Sequence, residues 1–168
     1  MAHRIRSQSI ATKISLVNQL HAHFHEFGFV IRKGRAMWTD VHRLMENELP
    51  PILLYLVNDL LVAIRSEEER IATLDKRIQR WAKSDAMASK LMQMDGVGAL
   101  TASAVIATAR DPGVFKNGRH FVAWLGLVAR QNSSGGKTRL RGITKRGDRY
   151  LRTLLIHGDT EKHSLDGL

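Results

Sequence analysis

Two adjacent serines stand at the head of the most basic segment of the chain. Ser133 and Ser134 are followed by a pair of glycines, which leave a neighbouring hydroxyl uncrowded. A serine hydroxyl is a weak nucleophile until a base or a positive charge activates it. Cations that could hold a phosphate follow at Lys137, Arg139, Arg141, Lys145 and Arg146. The segment therefore fits either a serine nucleophile in a phosphate-binding cradle or a flexible Ser-Gly loop that only contacts DNA. The residue types leave both open.

The positive charge of the protein is concentrated around these serines. The 168-residue chain has a net charge of +10 and a pI of about 10.5, yet Asp148 is the one acidic residue between positions 116 and 152. Acids usually alternate with bases on a solvated surface, so this pattern indicates a polyanionic partner, namely a nucleic acid. The basic residues of this segment are Lys116, Arg119, Arg130, Lys137, Arg139, Arg141, Lys145, Arg146, Arg149 and Arg152.

Composition sets the class of protein. Hydrophobic residues make up 43% and charged residues 25% of the chain, as in ordinary soluble domains. The absence of cysteine excludes disulfides and thiolate metal sites and fits a reducing compartment. The N-terminus lacks the apolar core of a signal peptide, and the most apolar stretch is interrupted by Asn58 and Asp59. A cytoplasmic protein without a membrane partner is predicted.

The first half of the chain predicts two long helices. Apolar residues recur every three or four positions over 10–27, and Gly28 and Gly34 end that pattern. Pro50 and Pro51 suit the first turn of a second helix, whose apolar residues follow a heptad pattern with Glu67 in the one polar slot. The pattern predicts a coiled coil that pairs with a second chain, and it leaves open an intramolecular hairpin with helix 10–27. The heptad positions are Leu53, Val57, Leu60, Ile64, Ile71, Leu74, Ile78 and Trp81.

The second half predicts a compact helical domain. Gly96, Val97 and Gly98 fit the turn of a helix-hairpin-helix motif, in which backbone amides point at a phosphate, although a plain helix–helix turn gives the same pattern. A short helix closed by Gly126 precedes 128–145, which reads as a loop or a short β-ribbon. A final helix is expected from Asp148, as its N-cap, to Gly158.

The predicted fold is thus mainly α. A helical linker and coiled coil occupies 1–88, a compact helical domain with a helix-hairpin-helix-like turn occupies 89–158, and a disordered tail occupies 159–168. Two other motifs carry no prediction of a site. The end of a nucleotide-binding P-loop is present at Gly136 and Lys137, but Gln131 stands where its first glycine belongs. The alternating His21, His23 and His25 are predicted to be surface residues, and no metal site is predicted.

The second half also resembles a known family. Residues 92–158 contain a D-G-V-G turn, then "FKNGRHFVAWLGL", "SGGKTR" and "ITKRGDRYLR". This combination closely resembles the C-terminal transposase domain of the IS-one-ten insertion-sequence family, the bridge-RNA-guided recombinases that include the Piv-type DNA invertases. The helical segment 3–84 resembles the linker and coiled coil that precede that domain. The resemblance implies a bacterial, nucleoid-associated protein that binds DNA and a structured guide RNA and forms homo-oligomers through the coiled coil.

The resemblance also implies roles for individual residues. The serine before the Gly-Gly pair, here Ser134, is the expected nucleophile that joins covalently to DNA, and Ser133 is its less constrained neighbour. Family members carry an N-terminal RuvC-like domain whose carboxylates bind Mg²⁺, and this chain is expected to begin after that domain and to hold no cofactor itself. We therefore expect the chain alone to be inactive. The alternatives are a non-enzymatic nucleic-acid-binding protein that co-assembles with full-length transposase, or an inert pseudogene product.

Overall fold

The computed structural model describes residues 1–94, 96–109, 116, 118–134, 137–144 and 147–163. The fold is mainly α-helical, as predicted. Its elements are α1 (Ala2–Glu26), α2 (Arg35–Asn47), α3 (Pro51–Ser84), α4 (Ala86–Leu91), α5 (Ala99–Ala109), α6 (Gly118–Trp124), β1 (Ala129–Ser134), β2 (Lys137–Ile143) and α7 (Arg149–His163). Contacts divide the chain into two compact units, Met1–Lys76 and Arg77–Leu168. This division falls inside α3, whereas the predicted division after residue 88 falls inside α4.

Two ion pairs show how α1 and α3 are oriented in the first unit. Arg6 pairs with Asp75, and Lys13 pairs with Glu68 at 2.8 Å. Each pair lies seven residues from the other on both helices, in opposite directions along the chain, so the two helices run antiparallel. Seven residues are close to two helical turns. At both ion pairs, the same side of α1 therefore faces the same side of α3.

The heptad positions at the start of α3 lie in the core of this unit. Leu53, Val57, Leu60 and Ile64 are buried together with Leu20 and Phe24 of α1 and with residues of α2. At these four positions, α3 therefore packs within its own chain, as the intramolecular alternative predicts. Further along α3, Ile71 and Leu74 are half-buried, Ile78 is buried, and Trp81 is exposed. Pairing with a second chain stays a prediction.

Helix α2 was not predicted from the sequence, which breaks at Gly34 and then carries mixed charges. It buries Met37, Val41 and Leu44 against α1 and α3. The preceding loop is tied to it by Arg32, whose backbone amide donates to Asp40 at 3.0 Å and whose guanidinium donates to both carboxylate oxygens at 2.9 and 2.7 Å. These hydrogen bonds lower the pKa of Asp40 to about 2.

Two helix limits differ from the prediction for local reasons. Helix α1 begins at Ala2 rather than at residue 10. Arg6 and Lys13, which pair with acids of α3, interrupt the apolar period on which the prediction depended. Helix α7 continues past Gly158 to His163. Glycine weakens a helix interior by about 1 kcal/mol without forbidding it. The predicted tail 159–168 thus overlaps the end of α7, and 164–168 lie outside the described residues.

Helix α5 forms the centre of the second unit. Residues Thr101 to Val105 are all buried. One side packs with Ala82 and Ala88, and the other with Leu125 and Leu151. Small side chains let neighbouring helices approach closely, which explains the run of alanine, serine and threonine. Within the described part of the chain, no helix is long and apolar enough to cross a bilayer.

Candidate functional site

Strands β1 and β2 form an antiparallel hairpin that carries the serines at its tip. Ser134 pairs with Lys137 and Ser133 with Thr138, and the register continues down to Arg130 and Arg141. Of the two structures that the sequence left open for 128–145, the ribbon is the one found. Only the backbone is described for residues 129–134 and 137–142, so their positions are given by register.

The register separates the two serines. Directly paired residues of an antiparallel ladder share a face, and successive residues along a strand alternate between faces. Ser134 therefore shares a face with Lys137, and Ser133 is placed on the opposite face with Thr138 and Leu140. The face of Ser134, called here the cationic face, comprises Arg130, Asn132, Ser134, Lys137, Arg139 and Arg141.

Several contacts within the second unit hold the base of the hairpin. The amide of Thr144 donates to the carbonyl of Val128 at 3.0 Å. Gly126 closes α6, as predicted, with a φ of 72°, a conformation that glycine adopts at little cost. The chain therefore leaves α6 in a fixed direction, three residues before β1 begins at Ala129.

The loop after β2 is locked against the end of α6. No side chain fits at Gly147, because a Cβ there would lie under 3.0 Å from the backbone of Trp124 and Leu125. The guanidinium of Arg152 donates to the carbonyl of Leu125 at 3.3 Å and to that of Gly147 at 3.0 Å. Arg152, which counted as part of the basic segment in the sequence, is thus a structural clamp between α6 and α7.

The position of Asp148 confirms its predicted role as a helix cap. Its carboxylate accepts a hydrogen bond from the amide of Leu151 at 2.9 Å, three residues on, as an N-cap does. A carboxylate that caps a helix is oriented by its own backbone. This geometry favours capping over service as a general base.

Replacing Gly147 with alanine should destabilise the protein by about 1–3 kcal/mol, because the new methyl group would push the loop away from α6. Gly98→Ala is the matched control, since no atom lies within 4 Å of the position that its Cβ would occupy. Urea denaturation would measure both changes. Equal stabilities of the two variants would contradict the close packing at Gly147.

The predicted phosphate-binding turn lies between α4 and α5. Gly96 adopts a φ of 76°, as a tight turn between helices requires. The amide of Val97 donates to the carbonyl of Met94 at 3.2 Å, and Val97 packs against the cluster around Ala102. The amide of Val97 is therefore engaged within the chain. Gly96 and Gly98 remain the candidates for a phosphate contact.

Five of the predicted cations fall outside β1 and β2 in the sequence, and the structure describes three of them. Lys116 is exposed, Arg119 is exposed on α6, and Arg149 is exposed in the first turn of α7. Lys145 and Arg146 lie outside the described residues. The predicted binding residues thus include one set that the hairpin register brings onto a single face and others on α6 and α7.

The residues do not assemble a metal site in the part of the chain that is described. No group of three or more histidine, aspartate or glutamate side chains there could hold a metal ion. Among the alternating His21, His23 and His25 of α1, the Nδ1 atom of His23 lies 3.4 Å from the carboxylate of Glu26. We therefore derive no step through Mg²⁺ from this chain.

Comparison with known proteins finds a family that is similar to most of the second unit. Residues 88–161 match the family model described as "Transposase IS116/IS110/IS902 family". This segment is similar to that family of transposases. The match covers α5, α6, the hairpin and most of α7.

Individual proteins that are similar to this chain match the first unit as well. The chain is 43% identical to a probable family 20 transposase of Pseudomonas aeruginosa over 161 residues, which are 93% of the chain and 48% of the relative. It is 35% identical to the transposase for insertion sequence element IS1328 of Yersinia enterocolitica, over 92% of the chain and 46% of the relative. It is 32% identical to the transposase for IS1111A of Coxiella burnetii, over 92% and 44%. The chain spans a little under half the length of these transposases.

Two features of residues 88–161 were not predicted from the sequence. The sequence analysis preferred Ser134 to Ser133 only because of the family resemblance. A signal was nevertheless present, because Lys137, Arg139 and Arg141 alternate with Thr138 and Leu140 at the period of a strand. That alternation predicts one cationic face. The clamp of Arg152 left no signal in the sequence, because an arginine in a basic run looks like a phosphate contact.

Proposed function

We propose that this chain is the DNA-binding, serine-bearing part of a transposase, and that Ser134 is its nucleophile. The observation that carries the proposal is the hairpin register, which puts Ser134 and not Ser133 on the cationic face. The match of residues 88–161 to a transposase family supports the reaction class. We also propose that the guide RNA and the homo-oligomer expected for this family apply to the whole protein.

The chemistry proposed for Ser134 conserves the energy of the DNA backbone. The Oγ atom attacks a phosphodiester, a new Oγ–P bond forms, and the bond from phosphorus to one sugar oxygen breaks. The serine loses its proton, and the released sugar oxygen gains one. Attack by a sugar hydroxyl on the phosphoserine reverses these changes and joins a new pair of DNA ends. Since one phosphoester replaces another at each step, no ATP is required.

The cationic face supplies two of the effects that such a reaction needs. Arginine side chains hold a phosphate through paired hydrogen bonds, which would keep the attacked phosphorus next to Ser134. Fixed positive charge also stabilises the negative charge that builds up on the phosphate oxygens in the transition state. The base of the hairpin is held by the turn at the end of α6, the hydrogen bonds of Arg152 and the cap of α7. A fixed base limits the motion that would separate the nucleophile from the phosphate.

Binding to duplex DNA tests the cationic face. About six phosphate contacts should give a slope near −5 for log K against log salt. Replacing Arg139 and Arg141 of the cationic face with alanine, together with Arg146 of the basic segment that follows in the sequence, should reduce that slope by about three, because each lost contact removes about 0.9. The matched control replaces Arg4, Lys33 and Arg35, which are exposed in the first unit. An unchanged slope in the first variant, or an equal loss in the control, would show that binding lies elsewhere.

A further inference from the structure

The side of α3 that faces solvent carries large apolar residues. Ile52 is 60%, Tyr55 70% and Val62 67% exposed. At 100° per residue, Tyr55 and Val62 lie opposite the buried Leu60. A helix normally turns polar side chains to water, so a row of exposed apolar residues marks a surface that a partner covers. This surface, called here the outer face of α3, comprises Ile52, Tyr55, Asp59, Val62, Arg65 and Glu69.

The outer face also carries charges that are unpaired among the residues that the structure describes. Asp59, Arg65 and Glu69 are exposed, and none of their side chains forms an ion pair or hydrogen bond there. The acids Glu68 and Asp75, in contrast, pair with cations of α1. The residues three and four positions from Asp59 are all uncharged, namely Tyr55, Leu56, Val62 and Ala63. A cation for Asp59 must therefore come from outside its own helix.

The outer face is complementary to itself about Val62. Asp59 and Arg65 lie three residues before and after Val62, and Tyr55 and Glu69 lie seven residues before and after it. When two copies of α3 pack antiparallel around a two-fold axis at Val62, residues equally far from Val62 come to the same level. Asp59 then meets Arg65 of the second copy, and the hydroxyl of Tyr55 can donate to the carboxylate of Glu69. The symmetry forms each of these contacts twice.

Other arrangements of the outer face bring like charges together. In a parallel pair in register each residue meets its own copy, so Asp59 would face Asp59 and Arg65 would face Arg65. An antiparallel pair in which Tyr55 packs on Val62 has its axis between Asn58 and Asp59, which brings the two Asp59 residues to nearly the same level. Like charges side by side destabilise an interface. The charges therefore favour the antiparallel arrangement around Val62.

We infer that a second copy of this chain docks antiparallel on the outer face of α3, around Val62. The inference rests on the homo-oligomer that we propose for the whole protein, and it does not depend on Ser134 or on the cationic face. The family resemblance implies neither this face nor this orientation. The heptad positions that were expected to pair two chains lie on the other side of the helix, where four of them are buried within the first unit, namely Leu53, Val57, Leu60 and Ile64.

Charge reversal in the full chain tests the ion pairs between the two copies. Asp59→Arg and Arg65→Asp should each raise the dissociation constant of the dimer about tenfold or more, because each change puts like charges opposite each other at two places. The double variant restores opposite charges and should return the constant to within about threefold of that of the unaltered chain. Sedimentation equilibrium at micromolar concentration measures these constants, and circular dichroism checks that each variant is folded.

Glu46→Arg is the matched control for Asp59→Arg. Glu46 is exposed on α2, and its replacement changes the net charge by the same amount without altering the outer face of α3. The control should leave the dissociation constant unchanged. An equal effect of Glu46→Arg, or a double variant that dimerises no better than the single variants, would overturn the inference.

Cysteine cross-linking tests the orientation of the two copies. The chain has no cysteine of its own, so an introduced thiol can form a disulfide only with the same position of a second copy. Val62→Cys should give a covalent dimer under mild oxidation, because position 62 lies at the axis. Tyr55→Cys should not, because its two copies would lie about 21 Å apart along the helices, whereas a disulfide needs Cα atoms within about 7 Å. A covalent dimer from Tyr55→Cys and none from Val62→Cys would contradict the inference.

Val62→Lys separates this inference from the proposed function. It should yield a folded monomer, because two ammonium groups would meet at the axis. A dimer that survives Val62→Lys would overturn the docking on the outer face and leave the proposed homo-oligomer to other residues. A monomeric unaltered chain would overturn the docking as well. Neither result changes duplex binding by the cationic face, which the salt slope of the arginine variant tests by itself.

Discussion

Ser134→Ala should abolish covalent attachment of the protein to DNA, and Ser133→Ala should largely spare it. The assay reconstitutes the proposed whole activity by adding the RuvC-like domain of the family in trans, with Mg²⁺ and a guide RNA, and resolves protein–DNA adducts on a denaturing gel. Without its Oγ atom, residue 134 has nothing with which to form the phosphoester bond. Ser133 lies on the opposite face of the hairpin, away from the proposed phosphate site.

Binding measurements make this result specific to chemistry. Both serine variants should bind duplex DNA with the affinity and salt slope of the unaltered chain, because neither substitution removes a cation. Covalent adduct that persists in Ser134→Ala would rule out this residue as the nucleophile. Loss of adduct in Ser133→Ala alone would assign the reaction to the other serine and contradict the register argument. Binding without any adduct from the unaltered chain would favour the non-enzymatic alternative.

Leu60→Lys should unfold the first unit, whereas Val62→Lys should be tolerated. Leu60 is 8% exposed in the core of that unit, and Val62 is 67% exposed on the same helix. Truncation of a core leucine costs about 2–5 kcal/mol, and a buried ammonium without a partner adds the cost of its lost hydration. A surface substitution such as Val62→Lys usually changes stability by less than about 0.5 kcal/mol. Thermal unfolding followed by circular dichroism would measure both.

Light scattering on the same variants tests what the heptad positions of α3 do. If they pack within one chain, Leu60→Lys loses helix content and cooperative unfolding. If they pair two chains instead, Leu60→Lys should yield a folded monomer from an oligomeric parent. A folded, monomeric Leu60→Lys protein would therefore contradict the intramolecular core. If the unaltered chain is an oligomer and Val62→Lys remains one, the chains could still associate through a surface other than the heptad positions, but not through the outer face of α3.

Local backbone chemistry made part of this protein predictable. The break at Gly28 and Gly34, the start of α3 at Pro51, the end of α6 at Gly126 and the cap at Asp148 were all read correctly from the sequence. Each depends on the conformational range or side-chain hydrogen bond of one residue, which no distant partner changes. The concentration of positive charge around the hairpin is likewise a property of the chain itself.

Tertiary contacts decided what those local signals could not. The first turns of α1 are helical although Arg6 and Lys13 interrupt the apolar period, and Asp75 and Glu68 of α3 pair with these two cations. Helix α2 forms despite its mixed charges, because Met37, Val41 and Leu44 find a core to enter. A heptad pattern specifies an apolar edge but not its partner, and only the packed chain shows Leu53 and Val57 against Leu20 and Phe24.

The candidate site divides in the same way between sequence and structure. The sequence determined that two serines precede a run of cations, but their separation onto opposite faces depends on strand pairing, since a shift of one residue in register would exchange the faces. The roles of Gly147 and Arg152 were likewise decided by the structure. Close approach to the backbone of Leu125 and hydrogen bonds to its carbonyl involve a segment more than 20 residues away, and a contact of that kind exists only once the chain has folded.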